Sequence, residues 1–318
     1  MTTTPSAAAG ATVAVVVPTY LRPDLLRGCL AGLARQERPA DEVIVVRRED
    51  DLASAQVVAE APLAVREVLV HEPGVLAALH AGARSATSDV IAFTDDDAVP
   101  QPAWLATLLA HYADPAVGGV GGRDHMHPTT DDPEHPATDV GRIGPWGKAY
   151  GFHHVGVGAP VQVDVLKGVN MSFRAGALAL PARLRGKGAQ VHNELATALW
   201  ARAQGWRLVY DPAAQVDHYM GPRFDDDRRH RPDPVAVRDE AANLVQVLLT
   251  FRPELFWRRA AFGLLVGDRA TPGLLRGAVA LARRQPATLR RLGPSLAGQL
   301  EALRAARAGA RLEMVPVR

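Results

Sequence analysis

The chain has 318 residues, is 47% hydrophobic and carries a net charge of +2. That length and apolar share suit one large α/β domain with appendages, or two domains. The single cysteine, Cys29, excludes an internal disulfide and fits a reducing, cytoplasmic compartment. No apolar run approaches the roughly 18 residues of a membrane span.

MTTTPSAAAGA, residues 1–11, has no basic stretch and no long apolar core, and reads as a disordered leader rather than a signal peptide. TVAVVVP is a continuous apolar run, the mark of a strand buried on both faces. Pro23 and Asp24 then open a helix that runs to about Arg35. Cys29 lies in that helix's apolar stripe with Leu25, Leu26, Leu30 and Leu33, which predicts a buried structural thiol. EVIVV predicts a second buried strand, residues 51–61 a short helix, and REVLV a third strand. HEPGVLAALHAGARSA carries a Pro-Gly turn followed by a helix. DVIAFTD predicts the fourth strand, and Pro102 is placed at the opening of the helix in QPAWLATLLAHYAD. Alternating strands and helices imply a Rossmann-like, mostly parallel sheet with helices on both faces.

The alternation then stops. Residues 118–160 are rich in glycine, proline and histidine, which predicts a long irregular segment of functional importance. His125, His127, His135, His153 and His154 lack zinc-site spacing and are expected to be polar loop residues. Strand character returns over 163–174. NELATALWARAQG predicts a helix capped by Asn193 and ended by Gly205, and WRLVYDP a further strand. From about Asp233 the chain reads as helical, with breaks at Pro253, Pro272 and Pro286. The expected layout is a catalytic domain over 12–230 and a helical C-terminal region over 231–318. From Arg228 onward there are 17 arginines against 7 acidic residues, a balance of +10 on a body of −8. Such a region is either a solvated helical face or a surface for phosphates, such as an anionic membrane on its cytoplasmic side or a lipid-linked diphosphate. No nucleic-acid-binding motif is recognisable, and no basic stripe is interleaved with aromatics.

Three aspartates, Asp95, Asp96 and Asp97, follow the fourth strand. Ligands of open parallel sheets bind beyond the carboxyl ends of the strands, and carboxylates there suit Mg²⁺ or Mn²⁺. A helix N-terminus also explains acids at this position. A second triple, Asp225 to Asp227, follows no strand and precedes Arg228, Arg229 and His230, so a solvated loop is expected there.

Several segments in this order resemble the family 2 inverting glycosyltransferases, which have the GT-A fold. They are VVVPTYLRPDLL, EVIVV, EPGVLAALHAGARSATSDVIAFTDDDAVP, GVNMSFR and NELATALWARAQGWRLVYDPAAQVDH. The resemblance covers about two-thirds of the chain, from Val13 to His218, and its acidic DxD motif falls on Asp95 and Asp97. It implies transfer of a hexose or deoxyhexose from a nucleotide-diphosphate sugar to a glycan or lipid-linked acceptor, with Mn²⁺ or Mg²⁺ as cofactor. Pro18, Thr19, Tyr20, Arg22, Arg48, Asp51, Asp95 and Asp96 would then contact the donor. Asp95, Asp97 and His218 would hold the metal, with Asp97 the first candidate. His218 also fits a phosphate-pairing cation or a structural histidine at a strand end.

The acceptor hydroxyl needs a base within hydrogen-bond reach. Counting back from Gly205 and Trp206, the family's aspartate position falls on Glu194 and its preceding glutamate on Asn193. Glu194 is therefore the candidate base, although a first-turn helical glutamate is also favourable on local grounds. Asn170, Met171 and Trp146 are expected near the acceptor or the transferred sugar. Two departures stand out. Arg47 and Arg48 follow EVIVV where the family has an acid, and His80 stands where it has asparagine. The rival readings are a nucleotidyltransferase, which usually needs a Gly-rich loop absent from VVVPTYLRPD, and a nucleotide-sugar- or glycan-binding module without catalysis.

Overall fold

The structure, a computed structural model, describes residues 10–128, 136–224 and 233–318. The expected leader largely lies outside these residues, as do Asp225–Asp227 and His135. The chain begins with β1 (Val13–Thr19), α1 (Pro23–Ala34), β2 (Glu42–Arg48), α2 (Leu52–Ala59), β3 (Arg66–Val70), α3 (Val75–Ser85) and β4 (Val90–Phe93). It continues through β5 (Ala98–Pro100), α4 (Trp104–Ala110), β6 (Val117–Met126), β7 (Arg142–Ile143), β8 (Ala149–Tyr150), β9 (Val161–Val163), β10 (Met171–Arg174) and β11 (Ala179–Pro181). Then come α5 (Asn193–Ala203), β12 (Arg207–His218), α6 (Pro234–Phe251), α7 (Phe256–Ala261), α8 (Leu274–Ala282), α9 (Pro286–Arg307) and β13 (Met314–Pro316).

The main sheet has the order β3-β2-β1-β4-β10-β6-β12-β5, with β9 paired to β12. β1 is parallel to β2 and β4, while β10 is antiparallel to both β4 and β6. β6 and β12 are parallel to each other. The carboxyl ends of β1, β2, β4, β6 and β12 therefore share one edge. Alternate residues of β1 feed opposite layers. Ala14 and Val16 pack toward α3 and α5, and Val13, Val15 and Val17 toward α1 and α4. This two-sided burial is why β1, β2 and β4 are apolar runs without alternation. Cys29 is buried against β1, as expected of a structural thiol.

The start of the segment expected to be irregular is a ten-residue strand, β6, in the middle of the sheet, whereas the described residues from 127 to 160 form only the two-residue strands β7 and β8 and are otherwise irregular. The glycines make room for neighbours there. A Cβ on Gly119 would lie 2.8 Å from side-chain atoms of both Phe173 and Leu208, and one on Gly122 would lie 1.8 Å from the Ala214 carbonyl. Beside Gly122 the register of β12 jumps from Asp211 to Gln215, a bulge that re-aims the end of β12. His153, expected on a loop, is in fact buried against Tyr210, and His125 belongs to β6. Two helix starts shift slightly: Pro102 sits in the turn before α4, and Asn193 is the first residue of α5, one past a left-handed His192.

The C-terminal region shares the main core. Leu244, Val247, Leu248 and Leu312 pack with the α3 and α5 layer, and β13 pairs antiparallel with β11. Among the described residues no helix is long and apolar enough to cross a membrane.

Candidate active site

The shared carboxyl edge opens into a cleft of about 460 Å³. β1 ends in Pro18 and Thr19, Tyr20 follows, and a left-handed Leu21 turns the chain so that Arg22, at the start of α1, points its side chain at Asp96 and Asp97. Pro18, Thr19, Tyr20, Arg22 and Arg48 all line the cleft. The Arg48 guanidinium lies 3.8 Å from the centre of the Tyr20 ring, a cation–π stack that fixes both side chains on one wall.

The three aspartates divide by direction. Asp95 is half-buried and lines the cleft. Burial raises its pKa, and the Asp97 charge adds to the effect. Asp96 turns inward and is fully buried. It accepts from Thr19 Oγ1 at 2.7 Å and Arg22 Nε at 3.0 Å, and its other oxygen pairs with Arg22 Nη2 at 2.6 Å. Burial pushes it up to about 7 despite these partners. Asp97 accepts from the Gly221 amide at 2.7 Å and Arg22 Nη1 at 3.2 Å. Burial would raise Asp97 too, but His218, Arg22 and Gly221 outweigh it and hold it well below the usual carboxylate range.

His218 ends β12. Its Nε2 lies 3.4 Å from Asp97 Oδ1, and its Nδ1 lies 3.3 Å from Asp124 Oδ2. Asp124 Oδ2 also takes the Lys167 ammonium. Burial alone would lower His218, but the two carboxylates win and push it up to about 9. Ligand atoms of Asp95, Asp97 and His218 all lie within 4.8 Å of one another. Two carboxylate oxygens and an imidazole nitrogen facing one point fit a divalent ion such as Mn²⁺.

Glu194, in the first turn of α5, lines the same cleft. Burial raises its pKa, and the Asp95 charge adds to the effect. Met171 also lines the cleft.

Four expected site residues are placed elsewhere. Asp51 is fully buried beneath the cleft, accepting from the Leu21 amide at 2.7 Å and the Ser54 amide at 3.1 Å, so it braces the β1–α1 turn and caps α2. Asp96 is bound up with Thr19 and Arg22, with no face on the cleft. Asn170 is fully buried: its Oδ1 accepts from Trp104 Nε1 at 2.8 Å and its Nδ2 donates to the Ala214 and Arg123 carbonyls at 2.9 and 3.1 Å. It locks β6, β12 and α4 together. Trp146 is exposed and lies outside the cleft lining. Arg47 pairs with Glu67 at 2.6 Å, which leaves only Arg48 of that pair at the cleft. His80 meets the Pro181 carbonyl at 2.9 Å, away from the site.

Asp124 and Lys167 were not anticipated. Asp124 sits in GGRDHM, where glycine masks the strand, and Lys167 precedes GVNMSFR by one residue. For Asp124, the charged run RDH closing a strand that begins VGGVGG was the available signal.

The family profile described as "Glycosyltransferase like family 2" matches residues 10–231. Two curated relatives, the pre-mycofactocin glycosyltransferases of two Mycobacterium tuberculosis strains, are 42% identical over 53 residues, 17% of this chain and 11% of theirs. The match thus spans about a tenth of those relatives. Among solved structures, a mannosyltransferase from Pyrobaculum calidifontis in complex with GDP-Man and Mn²⁺ is similar at a TM-score of 0.58 and 21% identity, covering 94% of this chain and 89% of that one. S. aureus TarS in complex with UDP-GlcNAc gives 0.58 and 12%, covering 94% and 92%. GalNAc-T7 with UDP, GalNAc and Mn²⁺ gives 0.58 and 13%, covering 88% and 59%. These likenesses establish the GT-A fold.

Proposed function

The chain belongs to the family 2-like glycosyltransferases, and from that premise we propose that it moves a hexose or deoxyhexose from a nucleotide-diphosphate donor to a hydroxyl of a glycan or lipid-linked acceptor, with inversion. The observation that carries this reading is the convergence of Asp95 and Asp97, Glu194, and His218, from three distant parts of the sequence, on one cleft.

Glu194 accepts the proton of the acceptor hydroxyl as its oxygen attacks the anomeric carbon, and the bond to the diphosphate breaks on the other side of that carbon. Its raised pKa strengthens it as a base and brings it nearer neutral pH. Asp95, Asp97 and His218 would hold Mn²⁺ or Mg²⁺, whose charge stabilises the departing diphosphate. Pro18, Thr19 and Tyr20 form the donor wall, with Arg48 held against Tyr20, and Met171 lies under the transferred sugar. The arginine-rich C-terminal region meets an anionic membrane surface, which suits a lipid-linked acceptor.

The test is a thermal-shift panel of nucleotide sugars with and without Mn²⁺, followed by measurement of nucleotide diphosphate released in the presence of acceptor. Metal-dependent stabilisation and release are expected. No metal-dependent shift with any nucleotide sugar would remove the donor reading. Binding without release would mark a binding module, and pyrophosphate release from a nucleoside triphosphate would mark a nucleotidyltransferase.

A further inference from the structure

Helix α8 lies with its wider apolar side outward. It buries only Gly277 and Ala280, pressed so closely on α9 that a Cβ on Gly277 would meet Leu292 at 2.5 Å. Leu274, Leu275, Val279 and Leu281 remain 52, 58, 50 and 68% exposed. Leu265 and Val266 extend this patch, because the Gly273 amide donates to the Val266 carbonyl at 3.0 Å and so brings the preceding turn beside the start of α8. A contiguous apolar surface of this kind marks an interaction site.

The surrounding charge selects the occupant. Between Asp268 and Glu301 the chain carries Arg269, Arg276, Arg283, Arg284, Arg290 and Arg291 and no acidic residue. Arg269 is exposed in the turn before α8, and Arg283 and Arg284 are exposed at its end. A symmetric contact between two copies would set these cations against one another, which opposes self-association. An anionic lipid surface fits both features: aliphatic groups enter the acyl boundary while the arginines meet headgroups. At nine residues α8 is about 13 Å long, too short to span a bilayer.

We propose that α8 lies in the plane of an anionic membrane surface, with Leu274, Leu275, Val279 and Leu281 embedded and the flanking arginines on the headgroups. This deepens the membrane-surface reading above and is independent of the transfer chemistry. A helix so short needs both contributions to bind stably.

The experiment is co-sedimentation of the full chain with vesicles of phosphatidylcholine alone or mixed with phosphatidylglycerol, without donor or acceptor. Wild type should pellet with the mixed vesicles, and less so as salt rises. The double variant Leu275→Asp, Leu281→Asp should stay in solution. The variant Arg283→Glu, Arg284→Glu should lose about tenfold or more in affinity for the mixed vesicles. Unchanged melting temperature and nucleotide-diphosphate binding show that both variants are folded. Failure of wild type to pellet overturns the membrane-surface reading and this inference together. Equal pelleting of the leucine variant leaves that reading standing and overturns the role of α8. A wild-type dimer in light scattering that the leucine variant loses, without vesicle binding, assigns the face to a second copy instead. Transfer to a soluble acceptor is read separately, so its failure bears only on the catalytic reading.

Discussion

His218 directs Nδ1 at Asp124 Oδ2, 3.3 Å away, and so turns Nε2 toward the Asp95–Asp97 carboxylates. A buried carboxylate that sets the tautomer and tilt of an imidazole tunes that imidazole as a metal ligand. Asp124→Asn should therefore weaken Mn²⁺ binding about 10- to 100-fold, read by titration in the presence of nucleotide diphosphate. Unaltered affinity would show that His218 is positioned by β12 alone.

Glu194→Gln keeps the shape of the cleft and removes the carboxylate proposed as the base. Donor binding should persist while transfer falls by about 100-fold or more. Because burial raises Glu194, the acid limb of kcat/KM in the wild type should lie above the ordinary carboxylate range, with activity rising as pH rises through it. Wild-type transfer by the glutamine variant would take Glu194 out of this role.

Asn170→Ala separates a structural asparagine from a sugar contact. The substitution strands Trp104 Nε1 and the carbonyls of Ala214 and Arg123 in the interior. A stability loss of about 3 kcal/mol is expected in denaturant unfolding. Intact stability with a raised KM for acceptor would instead restore the sugar contact.

His153 makes an acid-sensitive contribution to stability. Burial lowers its pKa from 6.5 to about 4, only partly opposed by its contact with the Val165 carbonyl. The depressed folded value means the unfolded chain takes the proton first. The contribution is complete above pH 6.5 and is lost as pH falls toward 4, on the order of 3 kcal/mol. Melting temperatures should drop over that window, and His153→Phe, which can keep the ring packing on Tyr210, should show a shallower drop. Identical acid slopes in the two proteins would count against this assignment.

The order of buried strands and helices up to α4 was legible because two-sided burial writes itself as apolar runs and one-sided burial as a helical stripe. β6 was not legible. Its glycines read as loop composition, and only the approach of Phe173, Leu208 and Ala214 shows why glycine is required there. The cleft positions of Asp95, Asp97, Glu194 and His218 could be anticipated from strand ends, a helix start and the family resemblance. Asp124 could not, because its significance depends on His218, 94 residues away.

Sequence alone determined the alternating α/β plan, the acidic strand end and the surplus of arginine in the C-terminal region. Tertiary structure decided which side chains face the cleft. Asp96 and Asn170 are polar side chains, yet both point inward and are held by hydrogen bonds to partners 44 to 77 residues away. In α8, close packing on α9 through Gly277 leaves Leu274, Leu275, Val279 and Leu281 outside, which residue type alone does not reveal. Residue type sets what chemistry a side chain can do. Its direction is set by register, bulges and close backbone approach, and these arise only when distant segments pack.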